Sequence, residues 1–123
     1  QNVYARHNRH AEATRRAVRA WGLEVLCADP AEYSSSLTAV MMPEGFDADE
    51  LLALILKKFD MCLGIGLGKV KGKIFRIGHL GYFNDLMLAG TLSGLEMGLS
   101  LAGIPFSKGG TGAALEYLEE TLR

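Results

Sequence analysis

From Leu86 to Phe106 the sequence LMLAGTLSGLEMGLSLAGIPF carries a single ionisable side chain, Glu96, and places a glycine at every fourth position, Gly90, Gly94 and Gly98. No other stretch restricts the fold so strongly. A run this apolar lies either in a bilayer or in a core with layers on most of its sides. The bilayer is disfavoured because a carboxylate near its centre costs about 2.5 kcal/mol or more, the flanks are not basic on one side, and Pro105 closes the run early. The expectation is a buried helix from Asp85 to Ala102, capped by Asn84. At about 100° per residue, Leu88, Leu92, Leu95 and Leu99 form one stripe, the three glycines a second, and Ser93, Glu96 and Ser100 a narrow polar arc. Such a helix calls for close backbone contact along the glycines. In a chain of 123 residues, what remains uncovered calls either for a partner domain or for no more than the central place in a small sandwich.

The rest of the chain supplies layers to pack against it. Asn8 to Trp21 is amphipathic, with Ala11, Thr14, Ala17, Val18 and Trp21 near one face, Arg15, Arg16 and Arg19 towards water, and Gly22 as C-cap. Leu23 to Cys27 and Leu37 to Met42 read as strands, joined by the turn-rich DPAEYSSS and stopped by Pro43. Asp47 followed three residues later by Glu50 forms a capping box for a helix from Ala48 to Phe59, which ends in Lys57 and Lys58. MCLGIGLG and KIFRIGH then read as extended segments around a glycine- and lysine-rich turn, Gly68 to Gly72. Gly103 to Gly112 reads as a loop, and Ala113 to Leu122 as a last helix. The order α-β-β-α-β-β-α-α predicts one α+β domain over residues 1–123, a small, mostly antiparallel sheet covered by helices.

Charge and cysteine usage remove several classes of partner. Thirteen basic and fourteen acidic residues give a net charge of -1 without a polybasic run, so neither nucleic acid nor an anionic membrane surface is indicated. Cys27 and Cys62 form no CxxC pair, which fits reduced thiols in the cytoplasm better than a zinc framework or the one disulfide that two cysteines allow. The sequence opens on Gln1 rather than Met and has no signal-peptide pattern, and so reads as a piece of something longer.

Most candidate chemistry dissolves on inspection. GIGLGKVKGK has the glycines and lysines of a phosphate loop but neither GxGxxG nor GxxxxGK followed by a hydroxyl, and is better read as a hairpin tip. SKGGTG, Ser107 to Gly112, could offer helix amides to an anion, although a connector with Thr111 as N-cap accounts for it. His7 and His10 stand about one turn apart without a third metal ligand, and read as an exposed helix face. Asp85 reads as a helix N-terminal charge, and Glu96 as a polar residue with no acid or base partner.

Arg76 is different. It sits inside GKIFRIGHLG, with Ile74 and Leu80 on its own face of the strand and Phe75, Ile77 and His79 on the other. A guanidinium there must reach water or find an anion, and its planar fork suits a carboxylate held by two hydrogen bonds. Spacing alone favours an ion pair with an acidic residue, or a strand face open to solvent.

The segment GKIFRIGHLGYFNDLMLAGTLSGLEMGLSLAGIPFSKGGTGAALEYL closely resembles the C-terminal part of serine-glyoxylate aminotransferases, in the alanine-glyoxylate branch of the class V aminotransferases. QNVYARHNRHAEATRRAVRAWGLEVLC is similar to the helix and strand that open the small domain of the same enzymes. FRIGHLG followed by FNDLMLAGTLSGLEMGL is the most specific part of the resemblance, which covers essentially the whole chain. It implies the small domain of a pyridoxal-phosphate-dependent enzyme of fold type I. It also implies that Arg76, matching the arginine of the R-I-G motif, binds the α-carboxylate of the amino acid or 2-oxo acid and so orients the Cα-H bond. No role is assigned to His79.

In that family the Schiff-base lysine lies in an S-x-K-G-like stretch of a large domain, which also holds the aspartate facing the pyridine nitrogen and most phosphate ligands. All of these would precede Gln1. Lys108 in FSKGG echoes the motif but stands where the family has no catalytic lysine. The resemblance thus implies a small domain without its large one. No catalytic, cofactor-binding or metal residue is expected in this chain, no cofactor is expected bound to it alone, and the chain by itself should be inactive. The parent would be homodimeric and would transfer an amino group between serine or alanine and glyoxylate. Two readings from other classes remain: a free-standing α+β module that recognises amino-acid carboxylates through Arg76, and an interaction domain that dimerises through the long helix.

Overall fold

Local signals account for most of the element boundaries. In the computed structural model, which describes residues 3–25, 37–61, 64–65, 72–78 and 84–123, the order is α1 (Val3–Trp21), β1 (Glu24–Val25), β2 (Leu37–Met41), α2 (Ala48–Phe59), β3 (Gly64–Ile65), β4 (Ile74–Gly78), α3 (Asp85–Leu101) and α4 (Gly110–Glu120). This is the expected succession. The Asp47 side chain accepts the amide of Asp49, and α2 spans the predicted residues. Asn84 caps α3 by accepting from the amide of Met87. Gly22, at φ +84°, closes α1 with the paired bonds Gly22 N to Arg19 O (3.0 Å) and Leu23 N to Val18 O (3.1 Å).

Three boundaries or faces depart from expectation. Helix α1 begins at Val3 rather than Asn8, because nothing in Val3 to His7 stops a helix even though the apolar spacing starts later. Arg15, expected towards water, is only 12% exposed and is drawn down by Glu12 at 3.2 Å. Helix α4 begins at Gly110 with Gly109 as N-cap, so Thr111 is inside the helix rather than capping it. Cys27, Cys62, His79, Leu80, the DPAEYSSS connection and the glycine- and lysine-rich turn up to residue 71 lie outside the described residues.

The strands form one sheet in the order β1-β2-β4-β3, and every described pairing is antiparallel. Val40, Phe75 and Ile77 present one face of this sheet to the helices. Behind that face lie Trp21, Leu51, Ile55, Leu88, Leu92, Leu95 and Leu99, all essentially inaccessible to water. Each fully buried leucine contributes about 2 kcal/mol of transfer free energy, so the predicted leucine stripe of α3 anchors the core. The glycine stripe is used unevenly. A methyl group at Gly98 would come within 2.6 Å of the Ile55 side chain, and one at Gly94 within 3.1 Å of Met61, whereas Gly90 faces open space. Helix α2 therefore lies close against the second half of α3. Leu86, Met97 and Leu101 on the outer side are 83%, 49% and 59% exposed.

Candidate functional site

Strand β4 lies inside the sheet, between β2 and β3. Its entry is fixed by local geometry. Gly72, at φ +76°, turns the chain so that its carbonyl accepts the amide of Ala48 at 2.8 Å, while Lys73 O accepts from Met42 N at 2.8 Å. A methyl at Gly72 would stand 3.0 Å from the Asp47 carboxylate, so the same aspartate that starts α2 also crowds the turn into β4. Phe75 and Ile77, fully buried, hold the strand down on the helical layer. Alternation then sends Arg76 to the opposite face. There it is half-buried and lies directly across from Ala39 on β2 and Gly64 on β3. The expected alternation of Ile74 and Arg76 against Phe75 and Ile77 is present.

The other singled-out polar residues gather at two places on α3, both distant in sequence from their partners. Arg9 grips Asp85 with two parallel bonds, Nη1 to Oδ1 at 2.7 Å and Nη2 to Oδ2 at 2.9 Å, and His10 Nε2 stands 2.8 Å from the same Oδ1. His10 is thus a buried residue, 1% exposed, rather than part of an exposed helix face, because its ring is turned inward onto Asp85. The side chain of His7 lies outside the described residues. The Arg9 guanidinium, the main influence, holds the Asp85 carboxyl below the ordinary carboxylate range; burial opposes it and His10 assists.

Glu96 is ringed by neutral donors, with no acid or base among them. Its Oε1 accepts from the Trp21 indole at 2.8 Å and from both the amide and the hydroxyl of Thr111 at 3.1 Å, and its Oε2 from the Gly109 amide at 3.4 Å. The amides of SKGGTG do hold an anion, the protein's own. Burial pushes the Glu96 carboxyl up, but the donors from Trp21, Thr111 and Gly109 outweigh it, and the group sits below its ordinary range. Sequence spacing could not show this, because the donors lie on α1 and α4. The available signal was a lone carboxylate in an apolar helix beside a glycine-rich turn with no strong cap of its own. Both clusters are structural ties.

No protein-family model matches the chain. It is 44% identical over 122 residues to the L-aspartate-glyoxylate aminotransferase of Paracoccus denitrificans (strain Pd 1222), covering 98% of this chain and 31% of that protein. It is 46% identical over 121 residues to the serine-glyoxylate aminotransferase of Arabidopsis thaliana, covering 97% and 30%. In three dimensions it superposes on the pyridoxamine-pyruvate aminotransferase of Mesorhizobium loti with a TM-score of 0.89 at 32% identity, covering 97% of this chain and 31% of that one. The chain belongs to the class V aminotransferases. Its fold is that of the small domain of the pyridoxal-phosphate enzymes of fold type I, as the resemblance of FRIGHLG and the following helix implies. The chain spans about three-tenths of the length of these relatives. The two relatives differ in the amino donor they are named for and share glyoxylate.

Class V aminotransferases work with pyridoxal phosphate, which needs an enclosed lysine amine to hold its aldehyde. Lys57, Lys58, Lys73 and Lys108, the lysines among the described residues, are all exposed. The described residues therefore do not fit the cofactor, and no chemical step through it follows from them. No helix among the described residues is long and apolar enough to cross a membrane.

Proposed function

We propose that this chain is the small, C-terminal domain of an aminotransferase that passes an amino group to glyoxylate, and that Arg76 holds the carboxylate of the reacting acid. The observation that carries the reading is the position of Arg76: a half-buried arginine at the middle of an inner strand, with alanine on one side and glycine on the other. A rigid strand fixes the fork, and a fixed fork binds a planar carboxylate in one orientation. Its contribution is binding and orientation, not proton transfer. The relatives named for serine, aspartate and glyoxylate support this substrate class, since each of these acids carries a carboxylate. The pyridoxal phosphate site belongs, on this reading, to a large domain preceding Gln1, in a homodimeric, cytoplasmic parent enzyme.

The test is steady-state kinetics of the full-length enzyme carrying this domain. Arg76→Ala should raise KM for both amino donor and glyoxylate about a hundredfold, as expected for a lost charge-assisted pair of bonds. Arg76→Lys, which keeps the charge and loses the fork, should cost about tenfold. Unchanged KM values in both variants would sink the assignment. The chain by itself should develop no stoichiometric visible absorbance band with pyridoxal phosphate; such a band would place the cofactor site here instead.

The same half-burial of Arg76 within this one chain also supports a free-standing module that binds amino-acid carboxylates. Calorimetry separates the two: saturable binding of serine, alanine or glyoxylate by the isolated chain favours the module, and no heat favours a half-site.

A further inference from the structure

Across the sheet, the row that contains Arg76 reads Ala39, Arg76, Gly64 from β2 through β4 to β3. Directly opposed residues in antiparallel strands project to the same face with their Cβ atoms about 5 Å apart. The neighbouring rows on that face place Met41 opposite Ile74 and Leu37 opposite Gly78. Beside the guanidinium itself the flanks are a methyl group on one side and a bare α-carbon on the other. Alanine and glycine are both poor strand formers, and a valine or threonine at either position would have favoured the sheet. An arginine held only for structure gains from such neighbours, because they cover its stem. An arginine that must admit a ligand does not. A glycine within a strand can mark a bulge, a bend or a close approach by a ligand or another backbone.

We propose that Ala39 and Gly64 determine substrate size at Arg76, by keeping open the two lateral approaches through which the carboxylate end of a small amino or oxo acid reaches the guanidinium. This rests on the reading of Arg76 as the carboxylate-binding residue. The slot takes a carboxylate whose α-carbon bears a small substituent, as in glyoxylate or serine. A side chain grown from position 39 lies along the arginine stem and competes for the same volume. The residues touch neither a proton in flight nor a bond being broken, so they act on binding and leave turnover of bound substrate unchanged.

The experiment compares KM and kcat for glyoxylate and the amino donor in the full-length holoenzyme. Ala39→Leu should raise KM for the amino donor about tenfold, the size of effect one or two methylenes produce in a tight pocket, and raise it less for glyoxylate, with kcat nearly unchanged. Met41→Leu, one row away on the same face, should retain parental values. If Ala39→Leu fails to fold, Gly64→Ala on the edge strand carries the test, with an expected rise of about threefold in the donor KM. The inference is overturned if Arg76→Ala raises KM while Ala39→Leu, or its Gly64→Ala substitute, leaves it unchanged. An equal fall of kcat and kcat/KM in Ala39→Leu also overturns it, since that pattern reports loss in the transition state alone. If Arg76→Ala itself leaves KM unchanged, the reading of Arg76 fails first, and that result is distinguishable from the others.

Discussion

Helix α3 carries two carboxylates, and they are held in opposite ways. Asp85, at its first turn, meets the charged Arg9 fork, with the His10 ring beside it. Glu96, a little over three turns on, meets only neutral donors, an indole, a hydroxyl and backbone amides at the start of α4. Both sit below the ordinary carboxylate range, yet for Asp85 the leading influence is the arginine, while for Glu96 it is burial, overcome by several modest donors. A carboxylate held by a cation leaves a charge behind when it is removed. One held by dipoles leaves only unmatched N–H and O–H groups, some of which can turn to water.

The contrast can be tested in order of expected effect. Gly110→Ala should do the most damage, about 3 kcal/mol in urea unfolding, because the new methyl would run into the Trp21 indole that Glu96 holds in place. A cost under about 1 kcal/mol would mean that the indole is not locked and that the Glu96 tie is loose. Next comes Asp85→Asn, at about 2 kcal/mol, since Arg9, only 13% exposed, loses its counter-charge. Glu96→Gln should cost about 1 kcal/mol, because an amide oxygen still accepts from the indole. If the last two variants cost the same, the distinction between ionic and dipolar holding is broken.

Acid sharpens it further. Each carboxyl has a folded-state pKa lowered from its unfolded value, so each contributes stability that is complete above the ordinary carboxylate range and is lost as pH falls through the lower, folded value. Urea midpoints should therefore fall from neutral pH to about pH 3, and the fall should be shallower in either Asp85→Asn or Glu96→Gln. Raising salt should have the smallest effect: a few tenths of a kcal/mol more lost in the parent chain and in Glu96→Gln than in Asp85→Asn, which keeps pairs such as Arg15–Glu12 and Arg123–Glu119. An equal salt response in Asp85→Asn and in the parent would show that the Arg9 pair carries none of it.

The same contrast explains what could be read in the sequence. Asp47, Asn84 and Gly22 act on residues within five positions of themselves, and the boundaries they set, the start of α2 among them, were legible from spacing. The leucine stripe of α3 was legible because it is a single-helix pattern. The start of α4 was not, since its amides are satisfied from α3, and Thr111 therefore serves inside the helix instead of before it. His10 was misjudged for the same reason: its partner is 75 residues away. Arg76 lies between these cases. Its strand and its face followed from alternation, its family from the FRIGHLG motif, but the small residues flanking it emerge only when β2 and β3 are set beside it.

Arg9 also donates from Nε to the Thr121 hydroxyl at 2.6 Å and from Nη2 to the Leu118 carbonyl at 2.8 Å, and the Arg16 guanidinium lies 4.3 Å over the Tyr117 ring. The first helix is thus fastened to the last. On a ribosome, α1 emerges long before α4, and its tie to Leu118 and Thr121 can close only after α2, α3 and every described strand have followed. Joining residues 112 positions apart carries a loop-closure cost that the contacts within the sheet do not, so this clasp is the least local part of the fold.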